Sequence, residues 1–160
     1  MIQATTETNL TFYLQTEDNR INTSVDSSKI RHLVKFTNDM DKSIHYGYAR
    51  TENITDRWSR FIYVWNANPD IYTGLIKFLP SGYWKYEAYE VSWVGEVTVS
   101  EGNAPATEND VLTPAADDKG VVQGLVTKGK MYVADKAGTA QVQYTQRQEP
   151  SGTNYIYYGQ

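Results

Sequence analysis

The feature that most restricts the fold of this chain is a period of two. Apolar residues alternate with polar ones in short runs, and no window of eleven or more residues keeps the 3.6-residue period of an amphipathic helix. "NLTFYLQT" places Leu10, Phe12 and Leu14 on one face and Thr11, Tyr13 and Gln15 on the other. "KIRHLVKFTN" sets Ile30, Val34 and Phe36 against Arg31, Lys35 and Thr37. The Asn, Asp and Ser of "NDMDKS" predict a tight turn joining that run to "SIHYGYAR" as a hairpin. "SRFIYVWN" is apolar on both faces, the pattern of a central strand. "YTGLIKFL" and "GYWKYEAYEV" flank a corner at residues 80–82, which makes six strands by residue 92. One short helical turn is expected at "ITDRW".

Composition changes at residues 100–120. "SEGNAPATENDVLTPAADDKG" has no aromatic residue, two prolines and five acidic residues, so it predicts a long loop or arm that buries little. Strand patterning resumes in "VVQGLVTKGKMYVAD" and "TAQVQYTQ" and ends in "TNYIYYGQ". Short strands separated by turn residues, with almost no helix, predict an all-β fold: an antiparallel immunoglobulin-like β-sandwich with a long loop before its last strand and a C-terminal extension. The sandwich is expected over residues 1–135 and the extension, carrying an interface strand, over 136–160. In the strand after the corner, Trp84, Tyr86 and Ala88 face inward, while Tyr83, Lys85, Glu87 and Tyr89 face out. An early tyrosine of that strand is expected to bond back across the corner.

Several kinds of chemistry find no support. The chain has no cysteine, which removes disulfides, thiolate nucleophiles and thiolate metal sites. A net charge of -4 and a pI near 5.1, with scattered basic residues, argue against nucleic-acid binding. The first twenty residues lack the pattern of a secretory leader, and no apolar stretch is long enough to span a bilayer, so synthesis in a cytoplasm is expected and the three N-x-[ST] triplets are chance. His32 and His45 sit on paired strands, but a metal site would need Asp39 or Asp41 as a third ligand, and two ordinary sheet histidines are the simpler reading. "NDMD" lacks the spaced oxygens of a calcium loop. Glu87 and Glu90 fall on opposite faces, and no nucleophile elbow, phosphate loop or dinucleotide fingerprint is present. The chain therefore reads as no enzyme, with no cofactor and no metal.

Thirteen tyrosines are more than the pleat of one small sandwich places inside. Tyrosine buries area at small entropic cost and keeps a hydroxyl for bonding, which suits contacts between proteins. Tyr83, Tyr89 and Tyr132 are the candidate interface residues of the body, and Tyr155, Ile156, Tyr157 and Tyr158 those of the tail. Pro150 and Gly152 detach the tail from the preceding run, and a short aromatic strand at a terminus has an unpaired ladder that a neighbour can complete.

The order "FLPSGYWKYEAYEV", a variable loop, "GLVTKGKMYV" and a tyrosine-rich "NYIYYGQ" resembles small accessory structural proteins of tailed bacteriophages, particularly capsid, neck or tail components of phages infecting Bacteroidota. The similarity covers roughly residues 75–135 and rests on "LP-x-G-x-Y-x-Y-x-x-Y", with Trp84 standing where the first tyrosine of that pattern falls, followed by "G-x-L/M-x-V". It implies a non-enzymatic virion protein, made in the host cytoplasm, whose partners are other virion proteins and copies of itself, without nucleic acid or membrane. It also implies that "GKMYV" is the last sandwich strand, which makes residues 93–128 an excursion in which "EVTVS" can form a strand. The alternative is a carbohydrate-binding module or host-surface adhesin that stacks sugar on Trp58, Trp65, Trp84 or Trp93.

Overall fold

The computed structural model describes residues 1–112 and 119–137. Among these residues nine strands run β1 Ile2–Thr5, β2 Leu10–Leu14, β3 Ile30–Asn38, β4 Ile44–Tyr48, β5 Thr51–Ile54, β6 Ser59–Trp65, β7 Leu75–Ile76, β8 Gly82–Ser92 and β9 Val121–Ala134. The helical content among these residues is two 3-10 turns, Glu17–Asn19 and Ser27–Lys29. None of it is long and apolar enough to cross a membrane. One sheet has the order β1-β9-β8-β3-β4, and the other has β2-β6-β5 with β7 also paired to β6.

The all-β expectation holds, but the sheets are mixed rather than purely antiparallel. β1 lies parallel to β9, and β7 parallel to β6. A tight turn forces antiparallel pairing only on the strands it joins, as it does for β3 and β4 across residues 39–43. The first and last described strands have no such turn between them. Two strands escaped the sequence reading because they are four residues long and weakly patterned, β1 and β5. "ITDRW" is no helical turn. It closes the β5–β6 hairpin, with the Thr55 N–H donating to the Trp58 carbonyl at 3.0 Å.

The main core lies between the sheets. Leu10, Phe12, Leu14, Phe61 and Tyr63 from the smaller sheet meet Val34, Phe36, Trp84, Ala88, Met131 and Val133 from the larger. The alternation in "NLTFYLQT" and the inward set Trp84, Tyr86 and Ala88 are as expected, with Tyr86 half-buried against the core. At the corner the bonding residue is a different one. Trp84 Nε1 donates to the Pro80 carbonyl at 3.1 Å, while Tyr83 is 58 % exposed. A buried indole N–H is costly to leave without an acceptor, and for Trp84 the corner carbonyl is in reach.

The excursion is shorter than expected and does more. β9 begins at Val121 and pairs with β8 over its whole length, with irregularities at Ala88/Tyr89 and Glu90/Val91, so the connection covers residues 93–120. "EVTVS" forms no strand. Residues 100–112 carry no strand or helix, as expected, yet part of them is covered. Ala104 and Pro105 are buried, and together with Val97 and Val99 this segment covers Leu33, Tyr48, Val91 and Trp93 on the outer face of the larger sheet. A second, smaller core results. Its fit is close: a Cβ on Gly120 would stand 2.6 Å from the Trp93 ring.

Candidate interface

The outer face of β8 and β9 is built from the odd-numbered residues of one strand and their partners on the other. Register places Tyr83 opposite Tyr132, Lys85 opposite Lys130, Glu87 opposite Lys128 and Tyr89 opposite Leu125. Side chains so placed lie close enough to touch. The rings of Tyr83 and Tyr132 meet at 5.1 Å with a tilt of 55°. Lys85 reaches Asp39 at 3.5 Å, which offsets part of its repulsion from Lys130. Beside the two tyrosines, Thr37, Lys85, Glu87, Lys128 and Lys130 line a shallow trough of about 600 Å³.

Further up the same face the covering segment takes over. Lys35 donates to Glu108 at 2.5 Å and lies 3.8 Å from Glu87, and the Tyr46 hydroxyl donates to the other Glu108 oxygen at 2.5 Å. Burial pulls the Glu108 carboxyl upward, but the bonds from Lys35 and Tyr46 outweigh it and hold the carboxyl below its usual range. The same contacts move their partners in the opposite sense. The Glu108 bond raises Lys35, and burial together with that bond pushes Tyr46 up to about 12. Tyr89 stands at the border between covered and bare halves, and its hydroxyl is raised by burial and then by Glu87 and Glu108.

Three candidate residues, Tyr83, Tyr89 and Tyr132, are thus brought onto one face. Tyr155, Ile156, Tyr157 and Tyr158 lie outside the described residues. Sequence reasoning placed Lys85 on this face but missed Lys128 and Lys130, although the signal is present: in "KGKMY", Lys128, Lys130 and Tyr132 share one side of the pleat. Two further tyrosines lie inside. Tyr48 and Tyr63 are buried, their hydroxyls donating to the carbonyls of Pro105 at 2.7 Å and Gly47 at 2.9 Å. Burial raises both hydroxyls well above the ordinary tyrosine value.

The other candidate groups are structural. His32 and His45 do not meet. His32 Nδ1 lies 2.6 Å from Glu52 between the sheets, both side chains 2 % exposed, and His45 packs on Trp84. Glu90 is buried, its two oxygens accepting the N–H groups of Ile21 at 2.9 Å and Asn22 at 2.8 Å. Among the described residues no three His, Asp or Glu side chains gather where a metal ion could bind. Comparison with protein-family models, with curated proteins and with solved structures finds no match for this chain.

Proposed function

We propose that the chain is a non-enzymatic structural component of a phage particle, resident in the virion after synthesis in the host cytoplasm, on an immunoglobulin-like sandwich frame. Its partners on this reading are neighbouring capsid, neck or tail subunits and copies of itself, with no role for nucleic acid or membrane. The observation that supports it is the bare half of the outer sheet face. Tyr83 is exposed and packs on a half-buried Tyr132 beside three lysines, in a chain whose net charge is -4. Such a face fits a partner with apolar and acidic groups. Repetition in an assembly multiplies contacts of this size without new chemistry. Residues 153–160 are proposed to add as a strand to a neighbouring subunit.

Sedimentation of the full chain over a concentration series tests this, alongside Tyr83→Ser with Tyr132→Ser and a deletion of residues 153–160. Self-association, or co-assembly with particle proteins, should weaken in both variants while each stays folded. A monodisperse chain that is also missing from purified particles by mass spectrometry refutes the proposal.

The glycan alternative is narrowed by burial. Trp84 and Trp93 have no exposed surface and offer no stacking platform, whereas Trp58 is 41 % exposed.

A further inference from the structure

β4 ends at Tyr48, and the chain then crosses through Ala49 and Arg50 into β5 of the other sheet. The first residues of β3 are left without a β4 neighbour, since β3–β4 pairing reaches only Leu33 opposite Tyr48. At His32 the vacancy in the ladder is closed by a side chain: its N–H donates to Glu52 Oε2 at 3.1 Å. A notch therefore runs along β5 between the two sheets. One part, about 380 Å³, is lined by Arg31, Arg50, Thr51, Tyr72 and Thr73, among others. The other, about 400 Å³, is lined by Ser27, Ser28, Arg31, Asn53, Thr55 and Trp58, among others. Arg31 and Glu52 line both, so the two parts adjoin, with Tyr72 lining one and Trp58 the other.

The two arginines of this groove, Arg31 and Arg50, line it together with one carboxylate, Glu52. Arg31 spends one nitrogen on the carbonyls of Ile30 and Ser28, at 2.6 and 3.4 Å. Neither Arg31 nor Arg50 has a carboxylate partner among the described residues. A guanidinium carries five N–H donors in a planar fork, and most of these stay available. Each nearby carboxylate has a bonding partner other than the arginines: Glu52 bonds His32, Asp70 accepts from the Tyr72 N–H, and Asp110 accepts from Ala106 and Thr107. Burial raises the Tyr72 hydroxyl, and the charges of Glu101, Asp110 and Asp70 add to that.

The walls are held in place before any ligand arrives. Gly74, at φ +73°, presses on Arg50 so closely that a Cβ would lie 2.2 Å from the Arg50 nitrogen. The loop carrying Tyr72 is fixed by the Tyr48 N–H donating to the Ile71 carbonyl at 2.7 Å and by the near-parallel Tyr48 and Tyr72 rings at 6.4 Å. In the other part the Trp58 ring stands edge-on to Tyr13 at 5.3 Å, and its turn is tied by the Thr55 hydroxyl donating to the Trp58 carbonyl at 2.6 Å.

We infer that this groove binds an acidic oligosaccharide, one bearing carboxylate or sulfate groups. The Tyr72 and Trp58 rings stack on the apolar faces of sugar units, the arginines fork onto the anionic groups, and the Ser, Thr and Asn side chains meet ring hydroxyls. An acidic peptide fits less well, because the lining offers no deep apolar socket for a side-chain anchor. The inference is independent of the assembly reading, since the groove and the Tyr83/Tyr132 face are lined by different residues.

The test is a panel of uronate, sialylated and sulfated oligosaccharides, each with a neutral counterpart, such as tetragalacturonate against its methyl ester, applied to the full chain. At least one acidic class should be retained over its neutral form. Affinity should fall about tenfold or more in Arg31→Gln with Arg50→Gln, and in Trp58→Ala, with melting temperature near that of the parent. Tyr83→Ser with Tyr132→Ser should leave glycan binding unchanged. The inference is overturned by a panel without acidic retention, by equal binding of neutral forms, by arginine variants that bind as before, or by polyglutamate that binds as tightly as the best glycan.

Discussion

The outer face of the larger sheet divides into two halves that share strands, pleat and aromatic content yet have opposite fates. In the upper half, Val91 and Trp93 of the β8 side project toward residues 97–110 and are buried with Leu33 and Tyr48. In the lower half, Tyr83 and Lys85 of β8 project the same way and stay in water. What separates them is where the chain returns. The connection from Trp93 to β9 folds back over the end of the sheet it has just left, anchored by Glu108 on Lys35 and Tyr46 and by the Tyr48 hydroxyl on Pro105. Apolar rings in reach of that segment become core, and those beyond it become surface. An outward-facing aromatic residue is thus no evidence of an interface until the path of the connection is known.

The comparison can be broken most directly at the two tryptophans. Trp84→Ala, between the sheets, and Trp93→Ala, under the covering segment, should each cost about 3–5 kcal/mol by urea unfolding if both sites are true cores. A loss below about 1 kcal/mol for Trp93→Ala alone would mean that the upper half is only loosely covered. Gly120→Ala should cost about 1–3 kcal/mol through overpacking, because the new methyl would meet the Trp93 ring.

Next in size is the anchor. Glu108→Ala should cost about 1.5 kcal/mol, since its side chain is 15 % exposed and takes two charge-assisted bonds. Glu108→Gln should loosen residues 97–110 selectively in hydrogen exchange. The anchor also has a pH signature. Glu108 is depressed in the folded chain, so its contribution is complete above about pH 4.3 and is lost as pH falls through the folded value. Lys35 and Tyr46 are raised, so theirs is complete below about pH 10 and fades as pH climbs toward the folded value, about 12 for Tyr46. Protection of the covering segment should therefore be widest between these limits, and a flat profile would discount the anchor.

His45 supplies a smaller effect on the inner side. Burial against Trp84 lowers its value, so its contribution is complete above about pH 6.5 and is lost as pH falls below that. Thermal melting should drop slightly from pH 7 to pH 5, and His45→Gln should remove that slope. Smallest of all on stability is the bare half: Tyr83→Ser with Tyr132→Ser should change the unfolding free energy by no more than about 0.5 kcal/mol per site. A large loss there would show that these rings are structural after all.

Much of the frame could be read from residue order. The β3–β4 hairpin, the central position of β6 and the inward set on β8 follow from alternation and turn chemistry, which act over a few residues. β1 and β5 could not be read, because their four-residue patterns are weak without the partners β9 and β6. The site was half legible. Tyr83 and Tyr132 could be placed as outward rings, but alternation alone does not show that Tyr48 is buried beneath the covering segment. The groove along β5 gave no local sign, because Arg31, Arg50, Trp58 and Tyr72 come from four separate stretches.

By itself the sequence determined that this chain forms strands, where its turns fall, and which side chains share a side of each strand, because φ/ψ preference and the pleat are properties of neighbours in the chain. Only the tertiary structure decided which of those sides became core, which stayed open, and that β1 runs alongside β9. Burial depends on what returns from a distance to cover a surface, and a period of two repeats equally well on a strand with water or protein above it.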